Sequence, residues 1–320
     1  MPTGSPLPVV CWADFEPAGP ARHDLVQTIG TACRNPGFFV LRLDGTRTLL
    51  TSLVEHWRQF CALPDDQKMA YHHASVPAHV SGGWLPMREA PVYMSHMDEN
   101  ERTAADFKQQ YGVSVGPKPI RWPNEALCPG FADVGNSVAA LLDHTARGLL
   151  NVFEKVLGQS DGFLKHAPGY LAVSRYPGSE RAECDSSLGL HEHSDATVFT
   201  MIGQSESALE VCSTGGWVSI PALEPHELAI LPGDWLELWT NGDIKAVRHR
   251  VRNISRSRMS ITFFQSVSGM TIGPLPTFVD AGRPARYPSV DSDIDYNGGD
   301  SGVPRWKTHG GSPSSTSPAT

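Results

Sequence analysis

The chain has 320 residues, which suits one large domain or two small ones with a substantial buried core. Hydrophobic residues make up 40% and charged residues 19%, as in an ordinary globular protein, and the net charge of −8 argues against a nucleic-acid-binding protein. The opening residues MPTGSPLPVV lack the pattern of a signal peptide, and no apolar run approaches the roughly 20 residues of a membrane span. The six cysteines are scattered, so we expect reduced thiols in a cytoplasmic protein.

The first half of the chain is predicted to be mainly helical. A short strand in PVVCWADF precedes a helix in ARHDLVQTIGTACRNPG, where Leu25, Ile29 and Ala32 recur at helical spacing and Pro-Gly ends the helix. The strand FFVLRL follows, and then a second amphipathic helix in TRTLLTSLVEHWRQFCALP. Residues 72–123 have weak periodicity and are expected to form long loops, and a long helix covers DVGNSVAALLDHTARGLLNVFEKVLG.

From about residue 168 short strands alternate with turns. Segments such as YLAVSRYP, VFTMIG, LAILPGDWLELWT and RMSITFFQ are rich in Val, Ile, Phe and Trp, which predicts an antiparallel barrel or jelly roll. We therefore expect an α+β protein in which a helical and loop region (1–167) packs on a β core (168–290). Residues 291–320 are rich in Gly, Ser, Pro and Thr, a composition typical of a disordered tail.

The segment HEHSDATVF carries a candidate metal site. Alternate side chains of a strand share a face, so His191, His193 and Asp195 can point the same way, and His249 follows 56 residues after His193. Two histidines and one carboxylate form the site of non-haem Fe(II) oxygenases, which leaves coordination positions open. His193, Asp195 and His249 are the favoured ligands, whereas His191 lies near the metal or is an ordinary strand residue. Ser194 is expected to point to the outside.

A second pattern, RSRMSITFF, follows closely. Arg258 and Ser260 share a strand face, and an inward arginine needs a partner because burying a lone charge is costly. A carboxylate bound by the guanidinium and the hydroxyl fits, which predicts a site for the distal carboxylate of a dicarboxylic co-substrate. A structural ion pair with one of the 34 acidic residues is the alternative. Arg256 competes by register, but Ser260 favours Arg258.

Together these residues resemble the 2-oxoglutarate- and Fe(II)-dependent dioxygenases of the isopenicillin N synthase-like family. The resemblance extends over about residues 8–288 and includes ACRNPGFFVL, FCALPDDQKMAY, SRYPG and GWVSIPALEPHELAILPGDWLELWTNGDIKAVRHRV. It implies a double-stranded β-helix (jelly-roll) core with flanking N-terminal helices.

The resemblance also implies the cofactors and the residues that hold them. The cofactors would be Fe(II), 2-oxoglutarate and O₂, with ascorbate considered as a reductant. The iron ligands would be His193, Asp195 and His249, and the distal carboxylate of 2-oxoglutarate would bind Arg258, Ser260 and the Tyr176 hydroxyl. Many relatives have Asn where this chain has Ser174. Related halogenases replace the carboxylate ligand with a small residue, so an intact Asp195 favours oxygenation or desaturation.

In the family the substrate pocket is built from N-terminal loops, here about residues 80–112, and from the mouth of the barrel. The favoured candidate substrate residues are Trp84, Tyr93, Lys108, Tyr111 and Phe264, and further candidates are Met87, Met94, Gln110 and Met270. The mix of Trp, Met and Tyr indicates a mostly apolar small molecule. Gly233-Asp234 and Asn241-Gly242 are interpreted as turns that use positive φ. Relatives often continue into a helix over the site, whereas DSDIDYNGGDSG does not have a helical pattern.

The resulting expectation is an oxygenase that acts on an unactivated C–H bond of a small molecule, by hydroxylation, desaturation or ring formation, in natural-product or secondary metabolism. No nucleic-acid or membrane partner is expected, and the protein would be a monomer or a weak homo-oligomer. One alternative is an Fe(II) oxidase that does not use 2-oxoglutarate, like isopenicillin N synthase or aminocyclopropanecarboxylate oxidase. A non-catalytic ligand-binding barrel is a second alternative. A zinc hydrolase would need a general-base glutamate that the sequence does not place.

Overall fold

The helices of the computed structural model lie mainly before its β core. The structure describes residues 7–14, 23–87, 107–178, 188–213 and 216–293. The helices are α1 (His23–Arg34), α2 (Arg47–Ala62), α3 (Asp65–Met69), α4 (Phe131–Val156) and α5 (Asp234–Trp239). Helices α1, α2 and α4 confirm the three helices predicted from periodicity. No helix in these ranges is long and apolar enough to cross a membrane.

Most strands belong to one of two sheets. The strands are β1 (Val9–Cys11), β2 (Phe39–Arg42), β3 (Gly83–Leu85), β4 (Gln109–Val115), β5 (Gly169–Tyr176), β6 (Leu188–His193), β7 (Phe199–Gln204), β8 (Leu209–Ser213), β9 (Gly216–Ser219), β10 (Glu227–Pro232), β11 (His249–Arg252), β12 (Arg258–Gln265), β13 (Thr271–Ile272) and β14 (Val290–Asp291). The large sheet has the order β1-β2-β10-β7-β12-β5-β4-β3, and the small sheet has the order β6-β11-β8-β9. Only β1 pairs in parallel in these sheets. The α+β jelly-roll prediction is confirmed.

The large sheet has two differently covered faces, as β12 illustrates. Met259, Ile261 and Phe263 lie in the main hydrophobic core with the helices. Arg258 and Ser260 alternate with them and therefore face the small sheet. A second core cluster, which combines residues of both sheets, fills part of the space between them. The candidate co-substrate residues thus lie inside the jelly roll.

The segment predicted as long loops contains a substantial strand. All seven residues of β4 pair with β5, from Gln109 opposite Arg175 to Val115 opposite Gly169. The apolar residues of β4 alternate with Gln, Gly and Ser, so the sequence pattern did not indicate a strand. The large sheet therefore takes strands from both sides of residue 168, and the predicted division into 1–167 and 168–290 stays a prediction.

The C-terminal part packs against α5. Asn241 donates from Nδ2 to the carbonyls of Phe278 (3.2 Å) and Pro284 (3.0 Å) and accepts a hydrogen bond from the Arg286 amide (2.8 Å). Asn241 has φ +52° and Gly242 has φ +81°, which confirms the predicted turn. Strand β14 extends into the predicted tail, and residues 294–320 lie outside the described residues.

The prediction that Gly233 is needed for a positive φ was wrong. Gly233 has φ −99° and precedes α5 in an extended conformation, so no positive φ is needed. A Cβ atom at this position would lie 2.3 Å from the Thr197 carbonyl oxygen. Close approach of two backbone segments therefore requires the glycine.

Candidate active site

The neighbouring strands β6 and β11 of the small sheet bring the predicted metal ligands together. His193 ends β6 and His249 begins β11, and they are direct cross-strand partners. Asp195 follows β6 by two residues. The Nε2 atom of His193 lies 3.5 Å from Asp195 Oδ1, and that of His249 lies 3.7 Å from Asp195 Oδ2. One potential ligand atom from each of the three residues lies within 4.8 Å of the others.

Backbone carbonyls orient both imidazoles. Nδ1 of His193 lies 2.8 Å from the His191 carbonyl oxygen, and Nδ1 of His249 lies 3.0 Å from that of Val247. Since a carbonyl only accepts, each neutral ring carries its proton on Nδ1. The Nε2 lone pairs are therefore available to a metal, which is the usual arrangement of ligating histidines. His191 contributes its carbonyl, and its side chain is not one of the three in the cluster.

Electrostatics also favours the metal-binding protonation state. Burial alone would raise the pKa of the Asp195 carboxyl, but the His249 and His193 imidazoles and the Thr200 hydroxyl outweigh burial and lower this pKa well below its usual range. Burial, followed by repulsion from His193, lowers the pKa of His249 to about 4. At neutral pH the site thus offers a carboxylate and a neutral His249, the forms that bind a divalent cation.

Residues outside the predicted set fix the ligand carboxylate. The Thr200 hydroxyl donates to Asp195 Oδ2 at 2.5 Å. The Asp234 amide donates to the Asp195 carbonyl at 2.9 Å, and Asp234 Oδ1 accepts from the Ser194 hydroxyl at 2.8 Å. Ser194 and Asp234 are both buried. Ser194 therefore does not point to the outside, because its hydroxyl binds a buried carboxylate.

Arg258 is buried without a carboxylate partner in the described parts of the chain. Only 2% of the residue is exposed, and its Cζ lies 3.9 Å from the centroid of the Tyr176 ring. Nη1 donates to Gln204 Oε1 at 3.3 Å, while Nε has no hydrogen-bond partner. Burial lowers the pKa of the guanidinium, and Tyr176 partly offsets this effect. Because an unpaired buried charge is costly, an anionic ligand fits this position.

The remaining polar residues of the inner face form a row across neighbouring strands. Ser260 on β12 is directly opposite Gln204 on β7 and Ser174 on β5, and Ser174 is opposite Gln110 on β4. The Ser174 hydroxyl donates to Gln110 Oε1 at 3.3 Å. Gln110, one of the candidate pocket residues, therefore lies on the same face of the sheet as Ser260 and Arg258.

Two of the predicted substrate residues lie on the inner face. Phe264 has the same strand parity as Arg258 and Ser260, and its ring centroid lies 6.2 Å from that of Tyr170. Lys108 precedes Gln110 by two residues, and its charge contributes to the lowered pKa of His249. Both remain candidates for substrate contact.

Trp84 and Tyr111 do not reach this face, which corrects their prediction. They are paired between β3 and β4, are 3% and 1% exposed, and lie in the helix-side core. The Tyr111 ring stacks on Trp122 at 5.7 Å, and the Trp84 ring contacts Phe60 at 6.4 Å. They are core aromatic residues on the wrong side of the sheet. Tyr93 lies outside the described residues.

The chain is similar to known non-haem oxygenases along most of its length. The model of the 2OG-Fe(II) oxygenase superfamily matches residues 168–267, and that of the non-haem dioxygenase in morphine synthesis N-terminal region matches residues 7–126. Flavanone 3-dioxygenase 2 of Oryza sativa subsp. japonica is 25% identical, with 87% of this chain and 80% of the relative covered. 1-Aminocyclopropane-1-carboxylate oxidase of Prunus mume is 29% identical, with 82% and 80% covered. The structure of a full-length Neurospora crassa protein in complex with alpha-KG has a TM-score of 0.74 at 21% identity, with 92% of this chain and 95% of the Neurospora protein covered.

Proposed function

We propose that this chain, a member of the 2OG-Fe(II) oxygenase superfamily, holds Fe(II) with His193, Asp195 and His249 and holds 2-oxoglutarate with three further residues. Those residues are Arg258, Ser260 and Tyr176. The convergence of two Nε2 lone pairs and one carboxylate within 4.8 Å is the observation that carries the proposal. The enzyme is an oxidoreductase that uses Fe(II) and 2-oxoglutarate.

The donor set matches the metal. Two imidazoles and one carboxylate are the ligands of non-haem Fe(II) oxygenases and leave other positions open for co-substrate and O₂. When bound, Fe(II) with 2-oxoglutarate and O₂ supplies the oxidising chemistry, and the protein supplies binding, orientation and a dry pocket.

Arg258 and Ser260 provide the anchor for the distal carboxylate. The guanidinium offers its unused Nε–H, and the neighbouring Ser260 hydroxyl adds a donor on the same strand face. Gln204 and the Tyr176 ring fix the position of the guanidinium before the ligand arrives. Such preorganisation reduces the cost of binding. The apolar cluster between the sheets keeps water from this end of the site.

The substrate is proposed to be a small molecule of natural-product or secondary metabolism that meets the inner face of β4, β5 and β12. Phe264 and Tyr170 form an aromatic surface there, and Gln110 and Lys108 offer hydrogen-bond donors. This combination suits a ring system with an oxygen substituent. Hydroxylation, desaturation and ring formation all fit such a site. We further propose a cytoplasmic monomer or weak homo-oligomer without nucleic-acid partners, in keeping with the net charge of −8.

The decisive experiment is an anaerobic titration of the Fe(II)-loaded protein with 2-oxoglutarate, followed by the weak visible charge-transfer band of the chelate. We expect a saturable band in the wild type and its loss at the same concentrations in Arg258→Met. Arg175→Met is the matched control, because Arg175 lies on β5 with the opposite parity to Tyr176 and Ser174. Iron binding without a band would reject 2-oxoglutarate as the ligand of Arg258. It would favour an oxidase whose substrate brings its own carboxylate.

A further inference from the structure

Thr200 is completely buried beside the ligand carboxylate. It lies on β7 with 0% exposure, and its hydroxyl donates to Asp195 Oδ2 at 2.5 Å. Its only other hydroxyl neighbour in the described chain is Thr197 Oγ1, at 3.4 Å. Because this hydroxyl is shielded from solvent, its hydrogen bond goes to the Asp195 carboxylate and not to water.

The two carboxylate oxygens of Asp195 have different surroundings. Oδ1 faces Nε2 of His193, whereas Oδ2 faces Nε2 of His249 and also accepts the Thr200 hydrogen bond. A carboxylate can bind a cation through one oxygen or through both. The hydroxyl occupies part of the acceptor capacity of Oδ2 and so makes the two oxygens unequal.

Other contacts already fix the backbone of Asp195. Its carbonyl accepts from the Asp234 amide, and Asp234 is held in turn by Ser194. These contacts leave the two side-chain torsions that orient the carboxylate unconstrained. Among the residues that the structure describes, Thr200 has the side-chain hydroxyl that can fix the orientation of this carboxylate.

We propose that Thr200 is a positioning residue that holds Asp195 as a single-oxygen ligand. With Oδ2 engaged by the hydroxyl, Oδ1 is directed to the metal, and coordination positions stay open for a chelating co-substrate and for O₂. Binding through both oxygens would occupy one of these positions. This inference rests on the proposed metal site and adds a residue to it.

The test measures metal binding and needs no turnover. Metal-free protein is titrated with Mn(II), and the Mn(II)-loaded protein is then titrated with 2-oxoglutarate. Thr200→Val, which keeps the shape but removes the hydroxyl, is expected to weaken Mn(II) binding about 10-fold or more, as for other partners of metal ligands. It should weaken 2-oxoglutarate binding as well. Thr200→Ser should restore both affinities.

Thr145→Val is the matched control. Thr145 is also 0% exposed, and its hydroxyl donates to the Leu141 carbonyl within α4 at 2.9 Å. This variant should keep the wild-type affinities whatever it does to Tm. If Thr200→Val does not fold, Thr200→Ala serves in its place.

Several outcomes would overturn the inference. One is wild-type Mn(II) and 2-oxoglutarate affinity in the folded Thr200→Val or Thr200→Ala protein. Another is a Thr200→Ser protein as weak as the valine variant, because the methyl group and not the hydroxyl would then matter. A wild-type protein that binds no divalent cation would instead reject the metal site itself, and this inference with it.

Discussion

His193 and His249 illustrate how backbone carbonyls orient the side chains that are proposed to bind the metal. Each ring is fixed through Nδ1, so both Nε2 atoms converge on Asp195. The carboxylate is the ligand that carries the negative charge. Its removal leaves two imidazoles with ring centroids 4.2 Å apart and no anionic ligand beside them.

Asp195→Ala should therefore weaken Fe(II) binding strongly and abolish Fe(II)-dependent oxidation. Calorimetric titration with Fe(II) under nitrogen checks the first effect, and O₂ consumption with 2-oxoglutarate checks the second. Asp243→Ala is a control for loss of one acidic residue, since Asp243 pairs with Arg34 at the surface. An Asp195→Ala protein with near wild-type turnover would disprove the ligand assignment.

The cysteines should differ strongly in reactivity. Burial raises the pKa of Cys33 to about 12 and that of Cys61 to about 12, and the thiolate is the reactive form. Cys11 and Cys212 are partly exposed. At pH 8 we expect iodoacetamide to modify Cys11 and Cys212 in the native protein and to spare Cys33 and Cys61 until guanidinium is added. Peptide mapping would refute this prediction if Cys33 were labelled as fast as Cys212.

At the scale of elements, β4 shows what the sequence could and could not predict. The ligand pattern on β6 and β11 and the Arg-Ser pair on β12 were readable because strand parity fixes which residues face together. The same rule applies to β4, but Gln109 and Gln110 are both polar, so the sequence alone does not tell which parity faces the pocket. Packing decides the parity, because Tyr111 contacts Phe60 of α2 and, with Trp84, belongs to the core between the sheet and the helices.

Gly112 on β4 lies directly beneath the Tyr170 side chain of β5. An added Cβ atom would lie 1.8 Å from the Tyr170 hydroxyl oxygen. Gly112→Ala should therefore cost about 1–3 kcal/mol through overpacking. Urea unfolding of Gly112→Ala, Tyr170→Ala and the double variant gives the measurement. The glycine substitution should cost much less in the Tyr170→Ala background, and equal costs in both backgrounds would contradict the steric explanation.

Asn241 connects α5 to the C-terminal segment through three hydrogen bonds. Losing them should reduce the free energy of unfolding by about 1–3 kcal/mol, because buried backbone groups lose a partner. Asn241→Gly isolates this effect, since glycine adopts the φ of +52° without strain, whereas Asn241→Ala adds backbone strain. Urea unfolding should therefore rank wild type above Asn241→Gly and Asn241→Gly above Asn241→Ala. A glycine variant as stable as wild type would show that the hydrogen bonds contribute little.

For the whole molecule, sequence patterns predicted the fold class but not the composition of the large sheet. Strands β3 and β4 come from the segment expected to form loops. Strands β1 and β2 were predicted as strands, but the sequence did not indicate that β2 pairs with β10, which lies far along the chain. Pairing between distant segments depends on tertiary packing, which a local pattern does not specify. The resemblance to a jelly-roll family supplied the architecture.

Ligand binding should stabilise the whole protein. A ligand that binds only the folded state at about 100 times its Kd adds about 2.7 kcal/mol. Mn(II) should therefore raise Tm by several degrees, and 2-oxoglutarate should raise it further only when Mn(II) is present. Arg258→Met should keep the first increase and lose the second. A second increase of wild-type size in this variant would place the co-substrate elsewhere, and EDTA serves as the metal-free control.

The cross-strand pairing of His193 with His249 also bears on when the protein acquires its iron. The partners are separated by 56 positions, and Arg258 belongs to the other sheet. No short stretch of nascent chain offers the complete set of donors, so the polypeptide must finish folding before the ion has a place to bind. Synthesis of the chain and loading of the metal are therefore expected to be separate steps, with the folded apoprotein as the species that takes up Fe(II).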